Sequence, residues 1–186
     1  MICTERLTLE PVALGHVEGL FALMRVPELS TYLAWEPHTE IAMTSALVES
    51  LMRANEVGSG YHWTILEGGR VAGLVSLIDI RRQHRCWNLQ RAEVAYWVDV
   101  ARHGSGIATE ATAAVVAAAF DTFGLHRLII SHTSANPASG RIPQKLGFRF
   151  VGTEREFFEK NGTWYDMNHY EILVEDWRSA RVEGAG

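Results

Sequence analysis

The sequence predicts a mixed α+β fold. Three features carry that prediction: strand-like alternation at both ends of the chain, two glycine-bearing hairpin turns, and an alanine-rich helical run between two apolar segments. In order, the expected elements are a strand, two helices, three strands, a helix, a strand, a helix and a closing pair of strands. No repeat, low-complexity linker or second core interrupts them, so residues 1–186 read as a single domain.

Residues 4–10 alternate, with Leu7 and Leu9 on one face and Arg6, Thr8 and Glu10 on the other. That is the mark of a half-exposed strand, and Pro11 is expected to end it. From Leu14 the apolar positions Val17, Leu20, Phe21 and Met24 recur at helical spacing until Pro27, which should stop the helix. A second helix is expected after Thr44, carrying Ala46, Leu47, Leu51 and Met52. Residues 61–66 and 70–80 flank Glu67-Gly68-Gly69, a strong hairpin signal. Residues 81–88 are a basic connector, read either as a solvated loop or as a patch touching a substrate or the nucleotide end of a cofactor.

A strand at 93–98 leads into a glycine-bearing turn and the alanine-rich helix, which runs without proline to about Phe123. Residues 125–133 are strand-like and β-branched, residues 136–146 a short helix, and Gly147 opens a strand at 148–152. Asn161-Gly162 turns a last hairpin between Phe157-Phe158 and residues 164–174.

Composition narrows the function. The net charge of −5 argues against nucleic acid as a partner, because phosphate neutralisation needs a basic face, and it suits a cationic acceptor such as an amine. The two cysteines, Cys3 and Cys86, form no paired framework, so a reducing cytoplasm is the expected setting. No segment approaches the length of a membrane span, and the first residues do not resemble a signal peptide. The eight histidines show no helical His-x-x-x-His pair, and no Cys-x-x-Cys occurs, so no metal is expected. His126 and His132 could share a strand face, in a hydrogen-bonding role. Trp35, Trp63, Trp87 and Trp97 could line an acceptor pocket, with core packing the better reading for Trp63 and Trp97.

The turn between the central strand and helix is the functional focus. It reads Arg102-His103-Gly104-Ser105-Gly106-Ile107-Ala108-Thr109-Glu110. A loop feeding a helix presents unpaired N–H groups and the positive end of the helix dipole, and so forms an anion site. A P-loop would need Lys-Ser or Lys-Thr after its glycines, where Ile107 and Ala108 stand. A dinucleotide fingerprint would need a third glycine at Thr109. The pattern that fits is the Gln/Arg-x-x-Gly-x-Gly/Ala turn of the GNAT acetyltransferases, with His103 first, Gly106 fourth and Ala108 sixth.

The resemblance extends over nearly the whole chain. Thr4-Glu5-Arg6-Leu7, Glu93-Val94-Ala95-Tyr96-Trp97-Val98, His103 to Ala111, Asn136-Pro137-Ala138-Ser139, Lys145-Leu146-Gly147-Phe148 and Asn161-Gly162-Thr163-Trp164-Tyr165-Asp166 follow in the order found in GNAT N-acetyltransferases of the RimJ/RimL-like, ribosomal-protein N-terminal group. The resemblance implies a mixed, mainly antiparallel central sheet with a splayed pair of parallel strands, flanked by helices. It implies acetyl-CoA as cosubstrate, with its pyrophosphate on the amides of His103, Gly104, Ser105, Gly106, Ile107, Ala108 and Thr109. The pantetheine arm would then lie along Trp97 and Val98 and reach Asn136, whose other reading is a helix N-cap before Pro137. Homodimers are frequent among similar proteins, and that analogy extends here.

Acetyl transfer needs a neutral amine, a polarised thioester and a proton for the departing thiolate. Two glutamates are candidate bases. Glu93 lies in an otherwise apolar strand, where burial would raise its pKa, with pairing to an arginine as its other reading. Glu156 matches the glutamate that similar enzymes place ahead of the Asn-Gly turn. Pro143 stands where many GNAT enzymes carry a tyrosine acid, which leaves Ser139 as the candidate acid or a capping residue. With no serine or cysteine beside a base in sequence, direct transfer is expected. The acceptor is expected to be a protein or peptide N-terminal α-amine. The alternatives are a small amine, such as a polyamine, an amino acid derivative or an aminoglycoside, and a non-catalytic acyl-CoA-binding module.

Overall fold

Two spatial units, both made of discontinuous stretches of chain, share the strands and helices of this protein. The computed structural model describes residues 1–183. Its strands are β1 (Ile2–Cys3), β2 (Leu7–Pro11), β3 (Tyr61–Glu67), β4 (Arg70–His84), β5 (Trp87–Val98), β6 (Arg127–Thr133), β7 (Arg149–Lys160) and β8 (Thr163–Leu173). The helices are α1 (Val17–Met24), α2 (Pro27–Ser30), α3 (Ile41–Val57), α4 (Ile107–Asp121), α5 (Pro137–Lys145) and α6 (Val174–Glu183). The strand order is β1-β2-β3-β4-β5-β6-β8-β7, with β5 and β6 parallel. The mixed α+β class and the mainly antiparallel sheet are thus as predicted.

The first unit comprises Met1–Ile78 and Ala95–Val115. Its core gathers Val12, Val17, Leu20, Val48 and Leu74, with Leu51, Met52, Val71 and Trp97 packed around them. The helical period of α1 and α3 and the continuously buried apolar run of β4 bring these groups together, and their burial is what holds the unit together.

The second unit comprises Asp79–Val94 and the chain from Val116 onward. Here the two-residue period of the strands sorts the side chains. Leu128, Ile130 and His132 of β6, with Tyr170 and Ile172 of β8, are buried on one face. Arg127, Ile129 and Ser131 face the other way. β6 pairs with β8 along its whole length, from Arg127–Leu173 to Thr133–Met167. On its other side the parallel ladder has three described pairs, Arg91–Arg127, Ala92–Leu128 and Glu93–Ile129. The β5-side edge of β6 beyond Ile129 therefore carries no ladder among the described residues.

Several boundaries differ from the sequence expectation. The first strand is two pieces, with a turn between them in which the Thr4 N–H donates to the Leu7 carbonyl at 2.9 Å and the Thr4 hydroxyl oxygen accepts the Leu7 N–H at 3.0 Å. Pro11 is the last residue of β2, as expected, and Pro27 opens α2 at its first position, where a missing N–H costs nothing. Thr44 is inside α3 and buried, its hydroxyl bonded to His38 Nδ1 at 2.8 Å.

The basic connector is not a loop: β4 runs to His84 and β5 starts at Trp87, leaving Arg85-Cys86 as a tight turn with Arg85 at φ 55°. Its side chains are exposed, so polarity hid a strand pair that burial does not require. The two short strands expected at 148–152 and 157–158 are one irregular strand, β7, whose register against β8 slips between Phe150 and Gly152 and between Glu154 and Phe158. Helix α6 has no counterpart in the sequence expectation; Trp177 anchors it against Phe120, ring centroids 5.2 Å apart.

Candidate active site

In the first unit, a capped turn delivers the chain from β5 into α4. Asp99 accepts the Ala101 N–H at 3.0 Å and its own N–H donates to the Ala72 carbonyl at 2.8 Å. A single 3-10 turn over Val100–Arg102 follows, closed by the His103 N–H on the Val100 carbonyl. Gly104 (φ 79°) and Gly106 (φ 86°) then reverse the chain in a conformation costly to any residue with a Cβ. Ile107, 1% exposed, pins the start of α4. The first intrahelical bond here is Glu110 N–H to the Gly106 carbonyl, so the N–H groups of Ile107, Ala108 and Thr109 precede the helical ladder. A Cβ on Gly104 would meet nothing within 4 Å, which leaves open space for an anion above the turn. Just before it, Val98 is buried and Trp97 is half-buried, packed against the core.

A buttress absent from the sequence reading supports this turn. Thr4 Oγ1 and the Arg6 N–H both donate to Glu110 Oε1, at 2.6 and 3.0 Å, while Arg6 Nε and its terminal nitrogen reach Glu110 Oε2 at 2.7 Å. Arg6 also donates to the Ser105 carbonyl at 3.1 Å, and a Cβ on Gly106 would lie 3.3 Å from its guanidinium. Burial pushes the Glu110 carboxyl upward, but these hydrogen bonds and the Arg6 charge outweigh it and hold the group below the ordinary range. Arg102, which stands beside the position usually held by Gln or Arg, is engaged by Glu67 and Asp99.

In the second unit, Glu93 is half-buried between the fully buried Ala92 and Val94. Burial raises its pKa; the Ser131 hydroxyl bonded to it and the His169 charge act against the rise, and Asp79 adds to it. No arginine figures among the groups that act on it. Asn136 caps α5, its carboxamide oxygen accepting the Ser139 N–H at 3.2 Å, which leaves its Nδ2 as the donor for a ligand. Ser139 is half-buried in that first turn. Glu156 is on β7. It is exposed on the β7 bulge at φ 50°, its N–H held by the Asp166 carboxylate at 2.9 Å.

Other sequence-singled residues take structural places. Trp63 is buried and stacks with Tyr61, Trp35 meets Trp97 edge-on at 6.1 Å, and Trp87 is exposed beside His84. His126 precedes β6 instead of sharing a face with His132, whose buried ring stacks on Tyr170 at 5.6 Å. Among the described residues no group of three His, Cys, Asp or Glu could hold a metal, and no helix is long and apolar enough to cross a membrane.

The sequence matches the acetyltransferase (GNAT) domain over residues 6–149, and the chain belongs to that family. It is an N-acetyltransferase of GNAT type. Among its relatives is the N-acetyltransferase YoaA of Bacillus subtilis, 27% identical over 172 residues covering 91% of this chain and 94% of YoaA. The ribosomal-protein-serine acetyltransferase of Escherichia coli is 24% identical over 92% of this chain and 95% of its own. Among solved structures, RimL, a ribosomal L7/L12 α-N-protein acetyltransferase in complex with coenzyme A, has the same fold. Its TM-score is 0.85 at 22% identity, covering 93% of this chain and 97% of RimL.

Proposed function

We propose that this protein transfers the acetyl group of acetyl-CoA directly to the α-amine of a protein or peptide N-terminus. The observation that carries the reading is the turn from His103 to Thr109, whose unladdered amides at the start of α4 suit a diphosphate. The reach of the E. coli ribosomal-protein-serine acetyltransferase over almost the whole chain supports the choice of acceptor.

The cosubstrate supplies an activated thioester, and the chain's residues do the rest. The amides of the turn hold the pyrophosphate, the Trp97–Val98 backbone and Asn136 Nδ2 orient the pantetheine arm, and Glu93 removes the ammonium proton so that the amine can attack. A positioned carboxylate base is worth roughly 10²–10⁴-fold. Ser139 returns a proton to the thiolate. Glu156 is the second candidate base, and its exposure on the bulge argues for acceptor binding over proton transfer.

A thiol-release assay with acetyl-CoA over N-terminal peptides and small amines tests the reading. Peptides with a free α-amine are expected to turn over, α-N-blocked ones not. Glu93→Gln should lower kcat by about 10²-fold or more while Glu156→Gln acts mainly on the acceptor KM. Turnover confined to spermidine, amino acid derivatives or aminoglycosides would move the acceptor to a small amine. Binding of acetyl-CoA with no turnover would make the chain a sensing module.

A further inference from the structure

Acetylation of an ammonium ion releases one net proton. The nitrogen gives up two, the departing thiolate recovers one, and the other must leave the site. A half-buried carboxylate that takes this proton has to pass it on before the next turnover.

The sheet supplies a route. Glu93 pairs with Ile129 on β6, and Ser131 lies two residues further along, on the same face. From there the Ser131 hydroxyl works against the rise in the Glu93 pKa, as a hydrogen-bond donor to its carboxylate does. Directly across on β8 is His169, whose Nδ1 lies 3.0 Å from Ser131 Oγ. His169 Nε2 is buried and has no hydrogen-bond partner among the described residues, and Glu154 Oε2 stands 3.5 Å away, within ion-pair reach but too far for a good hydrogen bond. Beyond the ring is an open hollow of about 390 Å³, lined by His169, Glu154, Gly152, Ile129 and Arg127. Arg127 is tied to Glu171 at 2.5 Å and is no competitor for Glu154.

We propose that Ser131 and His169 form a proton relay that carries the proton from Glu93 to this hollow. The inference rests on Glu93 as the base. In each turnover the protonated carboxyl gives its proton to Ser131 Oγ as that hydroxyl gives its own to His169 Nδ1. The imidazolium becomes neutral as it releases the Nε2 proton to Glu154, which passes it to water in the hollow; exchange through Glu154 then restores the Nε2–H form of the ring, and the Ser131 hydroxyl turns back toward Glu93. No bond other than O–H and N–H changes. Histidine suits the step because one ring nitrogen can take up a proton while the other gives one up. Neither residue touches the substrate; both act through Glu93.

The test uses the full chain with acetyl-CoA, a heptapeptide beginning in serine, and spermidine as a second acceptor. His169→Ala is expected to lower kcat about 10–100-fold with the KM for acetyl-CoA unchanged. Added imidazole, entering the hollow, should restore rate in proportion to the basicity of the imidazole used. His169→Asn, which can keep a hydrogen bond to Ser131 but cannot ferry a proton, should lose as much and gain nothing from imidazole. The asparagine variant decides the matter if the alanine variant melts below assay temperature. Rates within twofold of the parent, or a loss in the folded alanine variant that no imidazole restores, overturn the relay. Should Glu93→Gln be fully active, or neither acceptor turn over, the base assignment falls and the relay with it. An inactive Glu93→Gln beside fully active His169 variants removes the relay alone.

Discussion

Glu93 shows how one residue's surroundings set its chemistry. Because burial raises its pKa, the acid limb of kcat/KM is expected above the ordinary carboxylate range, and it should vanish in Glu93→Gln. The same shift has a stability sign. A carboxyl whose folded pKa is raised contributes stability that is present below its unfolded pKa and lost as pH rises through the folded value. Glu93→Gln should therefore gain on the parent in urea unfolding at pH 8 relative to pH 4. Glu110 runs the opposite way: its folded pKa is lowered, so its contribution is present above the unfolded value and lost as pH falls through the folded one. Arg6→Ala, removing partly exposed charge-assisted bonds, is expected to cost about 1–2 kcal/mol at pH 7. The difference should shrink toward pH 3 in the same denaturation series. Arg6 and Glu110 both stand in recognisable motifs of the sequence, yet 104 positions separate them, and no local signal pairs them.

Among the elements, strands declare themselves where one face is buried and escape notice where both are wet. Residues 61–66 and 70–80 are legible from their apolar runs and from Gly68-Gly69, whose φ values of 56° and 76° are those of the expected tight turn. The far half of that second strand and the start of β5 carry exposed polar side chains, and the backbone ladder that makes them strands leaves no mark in composition. One contact between elements predicts a cost. A Cβ on Gly73 would lie 2.3 Å from the Trp97 carbonyl oxygen and 2.9 Å from Val98 Cα, both main-chain atoms that cannot swing aside. Gly73→Ala is expected to destabilise by about 1–3 kcal/mol through forced backbone movement. Thermal melting checks this, and because Val98 leads into the anion turn, acetyl-CoA affinity should fall with it.

At the scale of the molecule, ligand binding is a stability measurement. If the turn holds acetyl-CoA, the cosubstrate at 100 times its Kd adds about 2.7 kcal/mol to the folded state. For a chain of this size that is a rise of about 5–10 °C in Tm. ATP and NAD should give no such rise, and Gly106→Val, which places a branched side chain in a left-handed turn beneath the anion, should abolish it. An unchanged Tm with acetyl-CoA, or a rise with NAD alone, would remove the cosubstrate from this reading.

By itself the sequence determined the α+β class, the glycine turn before α4, the Asn136 cap and the rise in the Glu93 pKa, because each follows from residues adjacent in the chain or from a short period. Tertiary structure alone decided which groups meet across strands. Ser131 and His169 are ordinary residues 38 positions apart until β6 and β8 pair and set them on the face that Glu93 shares. The Arg6–Glu110 buttress and the unladdered edge of β6 are decided in the same way. Long-range register is fixed by the burial of the opposite face, and that energy is summed over the whole sheet rather than written in any one segment.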